Sequence, residues 1–269
     1  MTALLRTEGL MKAYGGVQAL NDATIAVEQG TVAGLIGPNG SGKTTLFNVI
    51  TGYERPDAGE VWFGDRAITN LAPDKVFAAG IGRTFQLTRI FARLTVLENM
   101  LVAAQAKDRP RNLLSWFGRD AWTHHRRHAM ELLEFVGIER HADLLAGSLS
   151  YGQRKLLELA YVLVADPAVI LLDEPAGGVN PTLVNHIAER IRQLNADRGT
   201  TFLLVEHNME FVMGLCSTIT VLESGKAVVS GPPDIVRSDK RVLDAYLGAD
   251  LDEDDDPAAE PMLNEEAGR

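Results

Sequence analysis

One eight-residue stretch constrains this chain more than any other: Gly37-Pro-Asn-Gly-Ser-Gly-Lys-Thr44, a complete G-x-x-x-x-G-K-T. It follows a short apolar strand pattern over residues 31–36 and precedes a helical pattern over 44–50. Glycines there let backbone N–H groups crowd around phosphate oxygens, and Lys43 sets a positive charge against the β- and γ-phosphates. Thr44 offers a hydroxyl to Mg²⁺, while the helix points its N-terminus at the anion. The setting between strand and helix separates this loop from a Gly-rich turn without a ligand. It predicts a bound nucleoside triphosphate, with Gly37, Pro38, Asn39, Gly40, Ser41, Gly42, Lys43, Thr44 and Thr45 around it.

The remaining pattern is α/β. Residues 169–172 and Thr201–Val205 are continuous apolar runs of the kind buried inside a parallel sheet. Between them, Pro181–Arg198 carries Leu183, Ile187, Ile191 and Leu194 on one helical face, with Gly199 as its stop. That is a β-α-β unit. The first 35 residues hold short apolar stretches separated by Gly-Gly and Gln-Gly, which predicts antiparallel strands and turns. Residues 94–145 are mostly helical in pattern, with a polar break over 107–112, and read as a helical subdomain inserted into the core. A further helical pattern follows over 156–164.

Charge narrows the function. The formal net charge is −10, and nine acids against Arg269 give residues 249–269 a local −8, leaving −2 for the other 248. Such a body has no bulk electrostatic attraction for nucleic acid, so no nucleic-acid partner is expected. The tail is too charged and too poor in apolar residues to fold by itself, and a solvated, disordered segment is expected. It does not fit an EF-hand loop beginning at Asp250, since Asp255 stands where glycine is needed. The lone Cys216 excludes an internal disulfide and a cysteine-rich metal site, and it suits a reducing compartment. With no secretory pattern and no run of 18 uncharged apolar residues, no membrane span is expected.

A second site element is Val169-Ile-Leu-Leu-Asp173-Glu174-Pro175. An apolar strand ending in a carboxylate places an acid at the Mg²⁺ site, and Glu174 is set to accept a proton from an attacking water. Beside a phosphate loop this displaces the alternative, two acids that merely cap the next helix. The usual guanine-reading Asn-Lys-x-Asp does not occur; instead there is Leu149-Ser-Tyr-Gly-Gln-Arg-Lys155. The order phosphate loop, Gln86 in Arg-Thr-Phe-Gln, Leu-Ser-x-Gly-Gln, Leu-Leu-Asp-Glu-Pro, then His207 in Val-Glu-His resembles the ATP-binding subunits of ABC transporters. The likeness covers about residues 4–248.

That resemblance implies a P-loop NTPase of RecA-like type in one nucleotide-binding domain over 1–248. Its parallel-sheet core would carry an N-terminal antiparallel β subdomain and a helical subdomain inserted over about 90–160. ATP and Mg²⁺ are the implied ligands. Tyr14 looks like the aromatic that stacks on adenine; a buried strand aromatic is the other reading. Gln86 resembles the residue linking Mg²⁺ and the attacking water to the transmembrane interface. Ser150, Gly152 and Gln153 resemble the signature element, which contacts the γ-phosphate held by the opposite subunit. By the same likeness Asp173, with Thr44 and Gln86, would hold Mg²⁺, Glu174 would polarise water, and His207 would contact the γ-phosphate. Lys43 would neutralise charge during transfer. Two positions depart from the commonest pattern: Tyr151 replaces a glycine, and Asn180 replaces an aspartate, which keeps hydrogen bonding across the dimer but removes a charge.

The subtype also follows by similarity. Gly82-Arg-Thr-Phe-Gln86, Arg89-Ile-Phe, Leu94-Thr-Val-Leu-Glu-Asn99, Ser150-Tyr-Gly-Gln153, residues 176–181, Glu206-His-Asn-Met209 and Ala245-Tyr-Leu-Gly248 look like the ATPases of branched-chain amino acid importers. Related subunits serve urea and short amides. The implied partners are a second, related ATPase, two transmembrane permeases and, indirectly, an external solute-binding protein. The implied location is peripheral, on the cytoplasmic face of the inner (plasma) membrane. Two other readings are a soluble ATPase of this class for translation or DNA repair, and a small-molecule kinase. The soluble relatives usually carry two nucleotide domains or a long inserted coiled coil, whereas here one copy exists and about a hundred residues separate Thr44 from Leu149.

Three other features invite a reading. His124, His125 and His128 surround Arg126 and Arg127, whose charges would repel a cation, so a solvated basic helix face is expected. Leu87, Ile90, Phe91 and Leu94 fit either a groove for a permease helix or the core of the helical subdomain. Cys216 reads as a small buried apolar residue.

Overall fold

The computed structural model describes residues 3–84, 90–107 and 119–242. Two kinds of apolar pattern produce two sheets. β1 (Ala3–Tyr14) and β2 (Val17–Glu28) alternate buried with more exposed positions and pair antiparallel. β4 (Ala58–Phe63) and β5 (Arg66–Ala67) complete an antiparallel sheet of order β2-β1-β4-β5. By contrast β3 (Val32–Ile36), β7 (Val169–Asp173) and β8 (Thr201–Val205) are buried at every position. With β6 (Ile81–Arg83), β9 (Thr218–Glu223) and β10 (Lys226–Gly231) they form a sheet of order β10-β9-β3-β8-β7-β6. All its pairings are parallel except β10 on β9.

The unbroken apolar runs reflect burial on both faces. Ala33, Leu35, Val169, Leu171, Leu203 and Val205 enter a core shared with the antiparallel sheet and α1 (Lys43–Ile50). Their neighbours Val32, Ile36, Ile170, Leu172, Phe202 and Leu204 point the other way, into a core shared with helices. That is the two-residue period of a strand serving two cores at once.

The short helix α2 (Pro73–Ala79) leads into β6, and the helices on that second face include α3 (Val96–Lys107), α4 (Arg119–Val136) and α5 (Tyr151–Leu163), which pack on one another. The ends of this block are stitched by the bridge between Thr95 and Leu145 and by the Ala146 N–H donating to the Leu94 carbonyl at 2.9 Å. Buried Asn99 fixes the approach to α3: it accepts from the Phe91 N–H at 2.8 Å and donates to the Thr95 carbonyl at 2.8 Å. α6 (Pro181–Arg198) occupies the span its periodicity predicts and stops at Gly199, which is left-handed with φ 64°. α5 starts at Tyr151, five residues ahead of the 156–164 pattern, because Ser150 and Gln153 form a reciprocal capping box. The chain between Lys107 and Arg119 and the acidic tail, residues 249–269, lie outside the described residues. Among the described residues no helix is long and apolar enough to cross a membrane.

Cys216 is buried in the helix-side core, as expected, and burial, aided by the nearby Glu206 charge, pushes its thiol up to about 12. At pH 8 only roughly one molecule in ten thousand would then carry a thiolate. The native chain should leave a disulfide-exchange reagent such as DTNB unreacted at pH 8 and consume one equivalent once unfolded in guanidinium. Rapid labelling of the folded chain would contradict this burial.

Candidate nucleotide site

Strand pairing gathers the chemistry. Leu35 of β3 and Asp173 of β7 both register with Val205 of β8. The phosphate loop after β3, Glu206 and His207 after β8, and Asp173 and Glu174 at the end of β7 therefore emerge side by side, within two strand spacings or about 10 Å. This is the carboxyl edge of the sheet, where open α/β folds hold ligands. β6 ends beside β7 at Arg83; Gln86 and Leu87 lie outside the described residues.

The phosphate loop is wedged between two backbones. A Cβ at Gly37 would lie 2.1 Å from the Leu222 carbonyl oxygen, and one at Gly42 2.3 Å from that of Ala19; both residues have positive φ. Only glycine fits either position. Pro38, Asn39, Gly40 and Thr44 are exposed, Thr45 is half-buried and Ser41 is buried. The Lys43 ammonium donates to the carbonyls of Gly37 at 2.7 Å and Pro38 at 2.9 Å. Burial lowers its pKa, opposed by the charges of Glu174 and Asp173. Tyr14, at the end of β1, is 44% exposed, so the buried-aromatic reading does not hold. Its hydroxyl donates to the Glu54 carboxylate, and the Lys12 ammonium lies 5.4 Å from its ring centroid. Desolvation first, then Glu54, raises the Tyr14 phenol to about 12.

The carboxylates hold different partners. Asp173 Oδ2 accepts from Arg83 at 3.1 Å, both side chains being almost wholly buried, and the Asp173 N–H donates to the Thr84 hydroxyl. Arg83 also donates to Asn48 at 2.8 Å and Thr51 at 3.0 Å on α1. Asp173 Oδ1 takes no hydrogen bond among the described residues; with the exposed Thr44 hydroxyl it offers the hard oxygens that Mg²⁺ requires. Glu174 Oε1 stands 3.1 Å from His207 Nε2. Glu206 is buried, with Oε1 accepting from the Ala176 N–H at 2.6 Å and Oε2 from the His207 N–H at 3.1 Å. Burial raises its pKa, and those backbone donors pull it back.

Residues 20–177 match the ABC transporter family. This chain belongs to that family. It is 37% identical over 250 residues to the high-affinity branched-chain amino acid transport ATP-binding protein LivG of Escherichia coli, covering 91% of this chain and 98% of that one. It is 38% identical to a probable branched-chain amino acid transport ATP-binding protein LivG of Archaeoglobus fulgidus, covering 91% and 96%. Among solved structures, the ADP conformation of an ATP-binding cassette of an ABC transporter superposes with a TM-score of 0.81 at 36% identity, over 92% of this chain and 100% of that one. The expected P-loop fold is confirmed, and the chain is an ABC ATPase.

In this ABC ATPase the signature residues form a corner of their own. No hydrogen bond joins Ser150, Gly152 or Gln153 to the phosphate loop among the described residues. Ser150 is exposed and caps α5, and Gln153 also contacts His141 at 3.0 Å. A Cβ at Gly152 would lie 2.3 Å from Leu183 Cδ2 of α6, so a larger residue there would displace that side chain. Asn180 accepts from the Leu183 N–H at 2.9 Å and so caps α6 within its own chain. Ile90 packs on the helix-side core, whereas Phe91 is 51% exposed. His124 is exposed and His128 lies 3.8 Å from Glu131; no group of three or more metal-ligating side chains is gathered among the described residues.

Sequence reasoning gave no role to Arg83 or Glu206. Arg83 is the last residue of β6 and Glu206 the first after β8, and a charge at the end of a buried strand is the one signal that marks them. Arg83→Met leaves Asp173 as an uncompensated buried charge, which should cost about 3–5 kcal/mol and lower Tm by roughly 6–20 °C. Calorimetric unfolding of the variant decides it; an unchanged Tm would show that the pair does not support the fold.

Proposed function

We propose that this chain is the ATP-hydrolysing motor subunit of an importer of branched-chain amino acids. The observation that carries the motor role is the hydrogen bond between Glu174 and His207, set at adjacent strand ends with Asp173 and the phosphate loop. The solute class rests on the likeness to the LivG proteins. Peripheral attachment at the cytoplasmic face of the inner membrane, beside two permeases and a second, related ATPase, belongs to the same reading.

The exposed face of Tyr14 serves as the platform for adenine. Lys43 exchanges its two loop carbonyls for phosphate oxygens, and Asp173 and Thr44, with Gln86, would hold Mg²⁺. When bound, Mg²⁺ would supply positive charge against the phosphates during transfer. Glu174 accepts the proton of the attacking water, and His207 orients that carboxylate and reaches the γ-phosphate. Ser150 and Gly152 of the opposite subunit close the site, so that hydrolysis reopens the pair.

Glu174→Gln should bind ATP with affinity within about twofold of the parent while kcat falls about 10²- to 10⁴-fold. Equilibrium nucleotide binding and phosphate release measure the two separately, and undiminished turnover would remove Glu174 from its role. For the solute, the tagged chain is pulled from detergent-solubilised native membranes, and the recovered assembly is reconstituted in vesicles. Two multi-spanning permeases, a related ATPase and ATP-driven leucine uptake are expected. Urea or amide uptake in place of leucine would reassign the solute, and purely soluble partners would overturn the transporter reading.

A further inference from the structure

We propose that Lys155 is a positioning residue for Glu174, through which the signature end of α5 sets the geometry of the hydrolytic centre on its own chain. The inference rests on the reading above that Glu174 receives the water's proton.

Lys155 lies within the second turn of α5 and is only 6% exposed. A buried ammonium needs specific acceptors. Its Nζ donates to the main-chain carbonyl of Glu174 at 3.1 Å, and Nζ also lies 5.8 Å from the centroid of the Tyr151 ring. Glu174 has φ 49°, a left-handed conformation that a residue with a Cβ keeps only where its surroundings fix it. Among the described residues, three hydrogen bonds to its main chain do so. The Glu174 N–H donates to the Val205 carbonyl at 2.9 Å, and the Glu174 carbonyl accepts from Lys155 and from the Gly177 N–H at 3.1 Å. Of these, the bond from Lys155 is the charge-assisted one and the only one that arrives from the helical block. With the main chain pinned on both sides, the side chain meets His207.

Tyr151 adds a second contact between the same two elements. A Cβ at Gly178 would lie 3.1 Å from Tyr151 Cε1, so the ring stands against the turn that follows Glu174. Ser150, Tyr151 and Lys155 occupy the cap and opening turns of one helix, and a helix moves as a rigid rod over that length. Engagement of Ser150 by the opposite subunit's nucleotide is thereby felt at the Glu174 carbonyl, and the carboxylate that serves one site is aimed by the helix that serves the other.

The test uses the full chain with Lys155→Met and Lys155→Arg. Lys155→Met should keep ATP affinity within about twofold, lower kcat about 10²-fold without changing KM, and speed hydrogen exchange of the Gly177 amide. Lys155→Arg, which retains the donor, should restore both readouts to within about threefold. On the Glu174→Gln background, Lys155→Met should cause no further loss of hydrolysis. Wild-type turnover or unchanged Gly177 exchange in Lys155→Met would overturn the proposal. So would an additive loss on the Glu174→Gln background, or a loss of nucleotide binding that Lys155→Arg does not repair. Failure of the parent chain to hydrolyse ATP would instead count against the motor reading, and Gly177 exchange would still decide the role of Lys155.

Discussion

The pairing of β3 with β8, and of β8 with β7, fixes the rest of the molecule, because it aligns Leu35, Val205 and Asp173 in one row across the sheet. Each strand feeds alternate residues to two cores, so its register has little freedom. A one-residue slip of β7 would exchange Leu171 and Leu172 between cores and turn Asp173 away from the ligand edge. The apolar interior thus does the work of aiming the carboxylates. No polar contact at the site could hold three strand ends level without the two cores behind them.

Charge burial is the second constraint, and the site meets it by giving each buried ion a structural partner. Arg83 pairs with Asp173 while holding Asn48 and Thr51, so it ties the loop-bearing helix α1 to the end of β7. Glu206 gathers N–H groups from the turns after β7 and β8. Lys43 and Lys155 both spend their protons on main-chain carbonyls. These differ in one respect that bears on function. The acceptors of Lys43 belong to an open loop whose Pro38, Asn39 and Gly40 are exposed, and phosphate oxygens can replace them there. The acceptor of Lys155 belongs to a turn whose Pro175 and Ala176 are buried.

What was legible in the sequence follows the range of the interaction. Continuous apolar runs announced β7 and β8, the helical periodicity with Gly199 announced α6, and the phosphate loop announced its own ligand. Asp173 and Glu174 were legible because their chemistry sits at the end of such a run. Arg83 was not, since its partner lies 90 residues away and a single pair across parallel strands leaves no periodic trace. Lys155 was hidden more deeply, because its partner is a carbonyl that every residue possesses. The start of α5 lies outside the 156–164 pattern for another reason: Ser150 and Gln153, which the resemblance assigns to a ligand, form the capping box that begins the helix.

The two departures from the common pattern acquire a physical sense in this setting. Positions 151 and 152 are not equivalent. A Cβ at position 152 would press on the Leu183 side chain, whereas the ring at position 151 stands against Gly178. Tyr151 therefore adds contact area between α5 and the turn after Glu174 without disturbing Gly152. Asn180 retains what the fold asks of that position, since asparagine and aspartate cap helices about equally well and Pro181 supplies the first helical residue. An aspartate would add attraction to the helix N-terminus of about 0.3–1 kcal/mol. The fold loses little by its absence. Asn180 is exposed and its cap is made within the chain, while the Tyr151 ring stands against Gly178 of the turn that leads to it. If Lys155 positions Glu174 as proposed, both departures leave that link through α5 in place, Tyr151 by packing beside it and Asn180 by keeping the cap of α6.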